Sequence, residues 1–242
     1  MIKLVAIDMN GTLLDSQKRI SAANRQAVKD CVSQGITIVL STGRPFRFAE
    51  TYADSLGLDS YYVTANGGEI FNPQKEIIAQ HLIDPDEIKW LADLSESVES
   101  DYWILSTDDF YVNSLPDDHE SMRWLKFGFK PGSVDETNKV RKLLEGNEAF
   151  EVSNTLLTNI EINPAGINKA YGIKMVCRQL GIQMDEVMAI GDALNDLMLI
   201  REAGVGVAMG NAQDPVKLAA NKVTATNDQD GVAKALIPLL DQ

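Results

Sequence analysis

The chain is poor in cysteine, histidine and aromatic residues, and each shortage removes a class of protein. Among 242 residues there are two cysteines and two histidines, and aromatic side chains make up 7%. Cys31 and Cys177 are far apart and sit in apolar helical patterns, so neither a disulfide framework nor a cysteine metal site is expected, and a reducing cytoplasmic setting is. His81 and His119 lack metal-ligand spacing and read as surface or internally satisfied side chains. No apolar run approaches the roughly 18 residues of a membrane span, and Met1 leads directly into a short strand-like segment, unlike an export signal. Basic residues are also scarce: 22 against 35 acidic ones give a net charge of −13. That sign repels nucleic-acid backbones and anionic lipid, so neither nucleic acid nor membrane is an expected partner. A small anionic ligand can still enter a locally positive pocket. The 45% hydrophobic and 24% charged content excludes disorder and fibrous repeats. The length admits one large domain or two modest ones, and no signal fixes an oligomeric state.

What is present is an alternation of buried strands and amphipathic helices. Leu4 to Ile7 is a short apolar run suited to a strand covered on both faces. Ser21 can cap a helix whose Ala27, Val28, Cys31 and Val32 recur on one face, with Gly35 at its end. A strand over Ile36 to Leu40 follows, then a helix opened by Pro45 and closed near Gly57, then a strand over Tyr61 to Thr64 before Asn66, Gly67 and Gly68 turn the chain. From about Ile83 the texture changes, because Trp90, Trp103 and Trp124 cluster there. The sequence predicts an inserted α+β domain over residues 83–161, with helices over Asp84 to Val98 and Val134 to Leu144. Its strands are expected over Tyr102 to Leu105, Phe110 to Val112 and Leu156 to Ile162, and Trp90, Trp124 and Phe127 in its core. Alternation then resumes with a helix over Lys169 to Leu180, a strand over Val187 to Ile190, a helix after Asp192, a strand over Val205 to Ala208 and a closing helix over Val232 to Leu240. Residues 1–82 and 162–242 together build one α/β core, a Rossmann-like doubly wound parallel sheet.

In such sheets ligands bind beyond the carboxyl ends of the strands. Four segments stand there: Asp8 to Thr12, Ser41 to Arg44, Asn168 with Lys169, and Gly191 to Asp196. Taken singly each has an ordinary explanation, a strand-end turn for Asp8, a turn for Thr42 and Gly43, a helix cap for Asp192. Lys169 is more informative, because a cation in the first turn of a helix opposes the macrodipole by roughly 0.3 to 1 kcal/mol unless an anion reverses it. In combination, Asp8 is a carboxylate able to attack phosphorus. Asp8 and Asp192 at neighbouring strand tips, with a backbone carbonyl and water, make an oxygen shell that suits Mg²⁺. Asn195 and Asp196 can orient ligands.

These segments, as DMNGTLL (8–14), STGRP (41–45), TANGG (64–68), EINPAGINK (161–169), GDALND (191–196) and AGVGVAMGN (203–211), resemble in order and spacing the haloacid dehalogenase superfamily of phosphohydrolases, in its Cof-type subgroup with a type IIB cap. The resemblance spans essentially the whole chain. It implies that Asp8 is the nucleophile that becomes phosphorylated and that Thr42, Gly43, Lys169 and Asn195 bind the phosphoryl group. It further implies that Asp8, Asp192 and the backbone carbonyl of Asn10 bind Mg²⁺, with Asp196 behind them. The cap would close over the site and choose a small phosphate ester, such as a sugar phosphate or a flavin-pathway phosphate.

One position departs from the family. Its pattern is Asp-x-Asp-Gly-Thr, and the second Asp protonates the leaving alkoxide and then activates water; here Asn10 stands in its place. An amide exchanges no proton at neutral pH, so a factor of about 10² to 10⁴ in rate is expected to be missing. Substrates with good leaving groups should be favoured, and a phosphorylated Asp8 should persist. A substitution made to trap a ligand and a natural variant of altered turnover both fit. The competing class is a noncatalytic protein that binds or senses phosphometabolites on the same scaffold. A phosphoacceptor receiver fits poorly, given the insert and Lys169. Gly204, Gly206 and Gly210 only imitate a dinucleotide fingerprint, because they straddle a strand.

Overall fold

The computed structural model describes residues 1–240, which divide into two units, 1–79 with 169–240, and 80–168. In the first unit the chain runs β1 (Leu4–Ile7), α1 (Ala22–Ser33), β2 (Thr37–Ser41), α2 (Phe46–Leu56), β3 (Tyr62–Thr64), β4 (Glu69–Phe71) and β5 (Ile77–Gln80). The second unit holds α3 (Pro85–Ser97), β6 (Asp101–Ser106), β7 (Phe110–Val112), β8 (Trp124–Lys130), α4 (Val134–Leu144), β9 (Phe150–Ser153) and β10 (Ile160–Pro164). The first unit then resumes with α5 (Lys169–Leu180), β11 (Val187–Gly191), α6 (Leu197–Glu202), β12 (Val205–Ala208), α7 (Asp214–Ala219), β13 (Lys222–Val223) and α8 (Gly231–Leu240).

The first unit is an eight-stranded sheet in the order β13-β12-β11-β1-β2-β3-β4-β5. Pairing is parallel from β13 through β3 and turns antiparallel between β3 and β4. All four residues of β1 are buried, which requires cover on both faces and explains why the strand reads as an unbroken apolar run. The chain winds outward from β1 in both directions, through β2 and β3 on one side and β11 and β12 on the other. A ligand crevice is expected at that switch point.

The second unit is a five-stranded sheet in the order β7-β6-β8-β10-β9. One apolar core joins Ile88 and Leu91 of α3 and Val140 and Leu144 of α4 to Phe127, Phe129, Ile160 and Ile162 of the strands, giving an α+β module.

Several local expectations need correction. Val32 is 45% exposed at the end of α1, and Asn24 completes the buried face instead, donating to the Leu13 carbonyl and accepting from the Ala233 amide. The strand expected from Leu156 begins at Ile160, because Asn159 Oδ1 caps a turn by accepting from the amides of Thr155 and Leu156, leaving Leu156 and Leu157 exposed. Trp124 and Phe127 are core, but Trp90 is 43% exposed and stacks on Phe150 at 6.0 Å. Strands β4, β5, β8, β9 and β13 and helix α7 have no counterpart in the sequence reading. No helix among the described residues is long and apolar enough to cross a membrane.

Candidate active site

The parallel ladder fixes Asp8 before any site chemistry begins. Its amide donates to the Ile190 carbonyl at 3.0 Å, extending the pairing of β1 with β11 one residue beyond the strand. The loop that follows turns at Gly11 with φ +77°, and a Cβ there would lie 2.4 Å from Asp192 Oδ2, so both conformation and space exclude a side chain. Asn211 Nδ2 donates to the Gly11 carbonyl at 2.8 Å and holds the turn from the other side. Thr12, fully buried, donates from Oγ1 to Asp192 Oδ1 at 2.9 Å and so sets the rotation of that carboxylate.

Lys169 opens α5 with no solvent exposure. Its Nζ lies 2.5 Å from Asp8 Oδ1 and 2.6 Å from Asp196 Oδ1, so two carboxylates answer the unfavourable helix dipole. The approach of α5 depends on Gly172, where a Cβ would fall 2.4 Å from Val63 Cγ1 of β3. Asp196 is held on both oxygens. Oδ1 faces Lys169, and Oδ2 accepts from the amides of Asp192 at 3.0 Å and Ala193 at 3.1 Å. Gly191 makes room for it, since a Cβ there would meet Asp196 Cγ at 2.3 Å.

Burial dominates the electrostatics. Asp8 is pushed up to about 7, because desolvation and the Asp196 charge outweigh the pull of Lys169. Asp192 is pushed up to about 8, by desolvation first and then by the charges of Asp8 and Asp196. Desolvation works against the charged form of Lys169 as well, but Asp196 and Asp8 overcome it and hold the ammonium above its usual range.

Asp8, Asp192 and Asp196 each offer an oxygen within 4.8 Å of the others. Of the three, Asp196 is already committed on both oxygens, which leaves Asp8 and Asp192 as the pair able to face a cation. The set fits Mg²⁺ on two further grounds: its donors are hard oxygens, and Asn195 Oδ1 is buried with no hydrogen-bond partner among the described residues, an orphan that a hydrating water would satisfy.

Thr42 and Asn195 are linked by a residue that the sequence reading placed only in a turn. Asn66, buried at φ +58° in a short 3-10 turn (Ala65–Gly67), accepts from Asn195 Nδ2 at 3.0 Å and donates its amide to the Thr42 carbonyl at 2.9 Å. Asn is among the few residues with a Cβ that tolerate this backbone region, and its presence in an Asn-Gly-Gly run was the available signal. Thr42 is fully buried, and its Oγ1 accepts from the Arg44 amide at 3.2 Å, which leaves the hydroxyl proton to be donated. Gly43 lies half-buried between Thr42 and Arg44.

Asn10 stands apart from the buried acids. Its Oδ1 accepts from Arg44 Nη2 at 2.5 Å and from Lys18 Nζ at 3.3 Å. Direct contacts therefore join Asp8, Lys169, Asp196, Asp192 and Thr12, and Asn66 bridges Thr42 to Asn195. Lys18 was absent from the candidate segments, and Thr12, Arg44 and Asn66 appeared there only as parts of motifs.

The family model described as haloacid dehalogenase-like hydrolase matches residues 5–141 and 116–236. A 5-amino-6-(5-phospho-D-ribitylamino)uracil phosphatase of Bacillus subtilis is 43% identical over 97% of this chain and 94% of its own length. Among solved structures, a haloacid dehalogenase-like hydrolase from the same organism superposes with a TM-score of 0.90 at 25% identity, covering 98% of this chain and 100% of that one. A HAD subclass IIB sugar phosphatase superposes with a TM-score of 0.84 at 26% identity, covering 98% of each chain.

Proposed function

Because the chain belongs to the haloacid dehalogenase-like hydrolases, we propose that it is a Mg²⁺-dependent phosphatase of small phosphorylated metabolites that works through an aspartyl phosphate on Asp8. The observation that carries this reading is the buried Asp8–Lys169–Asp196 array beside Asp192, a nucleophile, a cation and a second carboxylate at the switch point of a parallel sheet. On this reading the first unit is the catalytic core and the second an inserted cap. The Bacillus subtilis relative makes 5-amino-6-(5-phospho-D-ribitylamino)uracil the first substrate to try, and the subclass IIB structure makes sugar phosphates the next.

Lys169 holds Asp8 Oδ1 and so orients the carboxylate; an Asp8 oxygen bonds to phosphorus as the ester P–O bond breaks. Thr42, Gly43, Lys169 and Asn195 hold the phosphoryl oxygens. Asp8, Asp192 and the Asn10 carbonyl would hold Mg²⁺, with Asp196 tied behind them, and the ion supplies positive charge to the phosphoryl group. The departing alkoxide takes its proton from water, because Asn10 has none to give. Water then attacks the aspartyl phosphate, returning the Asp8 carboxylate and inorganic phosphate.

Hydrolysis of p-nitrophenyl phosphate with Mg²⁺ tests the reading. Asp8→Asn should abolish turnover, and Asn10→Asp should raise it at least about tenfold by restoring the acid-base group. Activity that survives Asp8→Asn overturns the nucleophile, and no gain from Asn10→Asp overturns the account of residue 10. Asn10 also favours a second reading, a phosphometabolite sensor; saturable binding without turnover in the Asn10→Asp protein would select it.

A further inference from the structure

Lys18 and Arg44 converge on one neutral oxygen in a chain whose net charge is −13. Neither makes an ion pair with a carboxylate among the described residues. The arrangement is held deliberately: Lys18 sits at φ +61°, a region that disfavours residues with a Cβ, and the Tyr52 hydroxyl donates to its carbonyl at 3.2 Å. The Tyr52 ring also lies under the Arg44 guanidinium, 5.6 Å from the ring centre. Arg44 is further pinned through its backbone, its amide donating to Thr42 Oγ1 and its carbonyl accepting from Ala65.

Guanidinium and ammonium groups only donate hydrogen bonds, so their presence on Oδ1 settles which end of the Asn10 amide is which. The Nδ2 end is turned away from them and has no hydrogen-bond partner among the described residues. Two cations on the amide oxygen also draw electron density from the nitrogen, which strengthens its N–H groups as donors.

We propose that Arg44 and Lys18 are positioning residues that lock the Asn10 amide with its oxygen toward the two cations, so that its Nδ2–H donates a hydrogen bond to the ester oxygen of the substrate. This rests on the phosphatase reading above. As the bond from Asp8 to phosphorus forms and the ester P–O bond breaks, the electron pair passes to the ester oxygen. Asn10 steadies that charge by a hydrogen bond and keeps its proton, and a water molecule supplies the proton that makes the alcohol. The amide thereby does in a static way what a protonated carboxylic acid would do at that position, without the transfer.

The test uses the full chain with Mg²⁺ and a series of para-substituted phenyl phosphates, whose leaving groups need this hydrogen bond to different degrees. Arg44→Gln should lower kcat about tenfold more on phenyl phosphate than on p-nitrophenyl phosphate, with Arg44→Lys recovering part of the difference. Lys18→Gln, at an exposed side chain, should give a smaller loss with the same selectivity, and it covers the case in which Arg44 variants fail to fold. In an Asn10→Ala background the selective effect of Arg44→Gln should vanish. Equal losses across the series, a rise in KM alone, or an Arg44 effect that persists with Asn10→Ala would each overturn the proposal. Failure of the underlying reading is separate, and shows as turnover in Asp8→Asn.

Discussion

Withdrawing divalent cation and then raising the pH should destabilise the first unit in a predictable direction. Asp8 and Asp192 move from an ordinary 3.8 to about 7 and about 8, so each binds its proton more tightly folded than unfolded. For a carboxyl group displaced upward, the folded state holds more protons than the unfolded one between the two values, and stability falls as pH rises through that window. The Asp192 displacement includes the charge of Asp8, so the two do not add; a loss on the order of a few kcal/mol is expected between about pH 4 and pH 8. For a chain of this length that corresponds to a drop of about 10 °C in Tm. Thermal melting in EDTA from pH 5.5 to pH 8.5 reads it directly. Mg²⁺ should flatten the dependence and release protons at pH 7, seen by calorimetry in two buffers of different ionisation enthalpy. A metal-free Tm that stays level or rises across this range, or Mg²⁺ binding without proton release, would refute the reasoning.

Three substitutions probe the supports of the site. Gly11→Ala forces a Cβ to within 2.4 Å of Asp192 Oδ2 at a φ of +77°, and should weaken Mg²⁺ activation at least tenfold in a metal titration. Thr12→Val removes the hydrogen bond to Asp192 Oδ1 while keeping the side chain's volume; it should raise the Mg²⁺ concentration for half-activation by about 10- to 100-fold and leave the KM for substrate at saturating metal nearly unchanged. Gly172→Ala drives α5 against Val63, and urea unfolding should show a loss of about 1 to 3 kcal/mol, with kcat falling as Lys169 is displaced.

The parallel core was readable because its strands are buried on both faces and its helices carry clear start and stop residues. Lys169–Leu180 and Val205–Ala208 match the structure end for end. What escaped was set by pairing across sequence distance. Strand β8 packs Trp124, Phe127 and Phe129 at full burial, yet Lys126 and Gly128 interrupt its apolar pattern. Lys126 is tolerated because Glu161 of β10 meets it at 2.5 Å, and Gly128 because the Trp103 ring of β6 occupies the space a Cβ would need. Neither partner is visible from β8 alone. In the site, the motif residues could be named from spacing, but the couplings could not. Asn66, which binds the Thr42 carbonyl, meets Asn195 across 129 positions, and Tyr52 reaches Lys18 across 34.

Charge balance explains why Lys169 cannot serve the phosphoryl group alone. Asp8, Asp192 and Asp196 cluster together with a single ammonium, which contacts Asp8 and Asp196, so when all three are ionised the cluster carries two negative charges in excess. Two of the three Lys169 donors are already directed at Asp8 and Asp196, and a phosphate ester arriving at this end of the sheet adds further negative charge. A buried cluster so unbalanced has two remedies, to take up protons or to take up a cation. Protonation of Asp8 would remove the nucleophile and protonation of Asp192 would remove a cation ligand, so on the phosphatase reading the second remedy is the one that serves attack on phosphorus. A divalent ion held there would cancel the excess and leave the Asp8 carboxylate ionised. The same bookkeeping gives Arg44 and Lys18 their value: they are cations near the nucleophile loop that no carboxylate among the described residues neutralises. Their charge can therefore be spent on the Asn10 amide at the moment the ester oxygen turns negative.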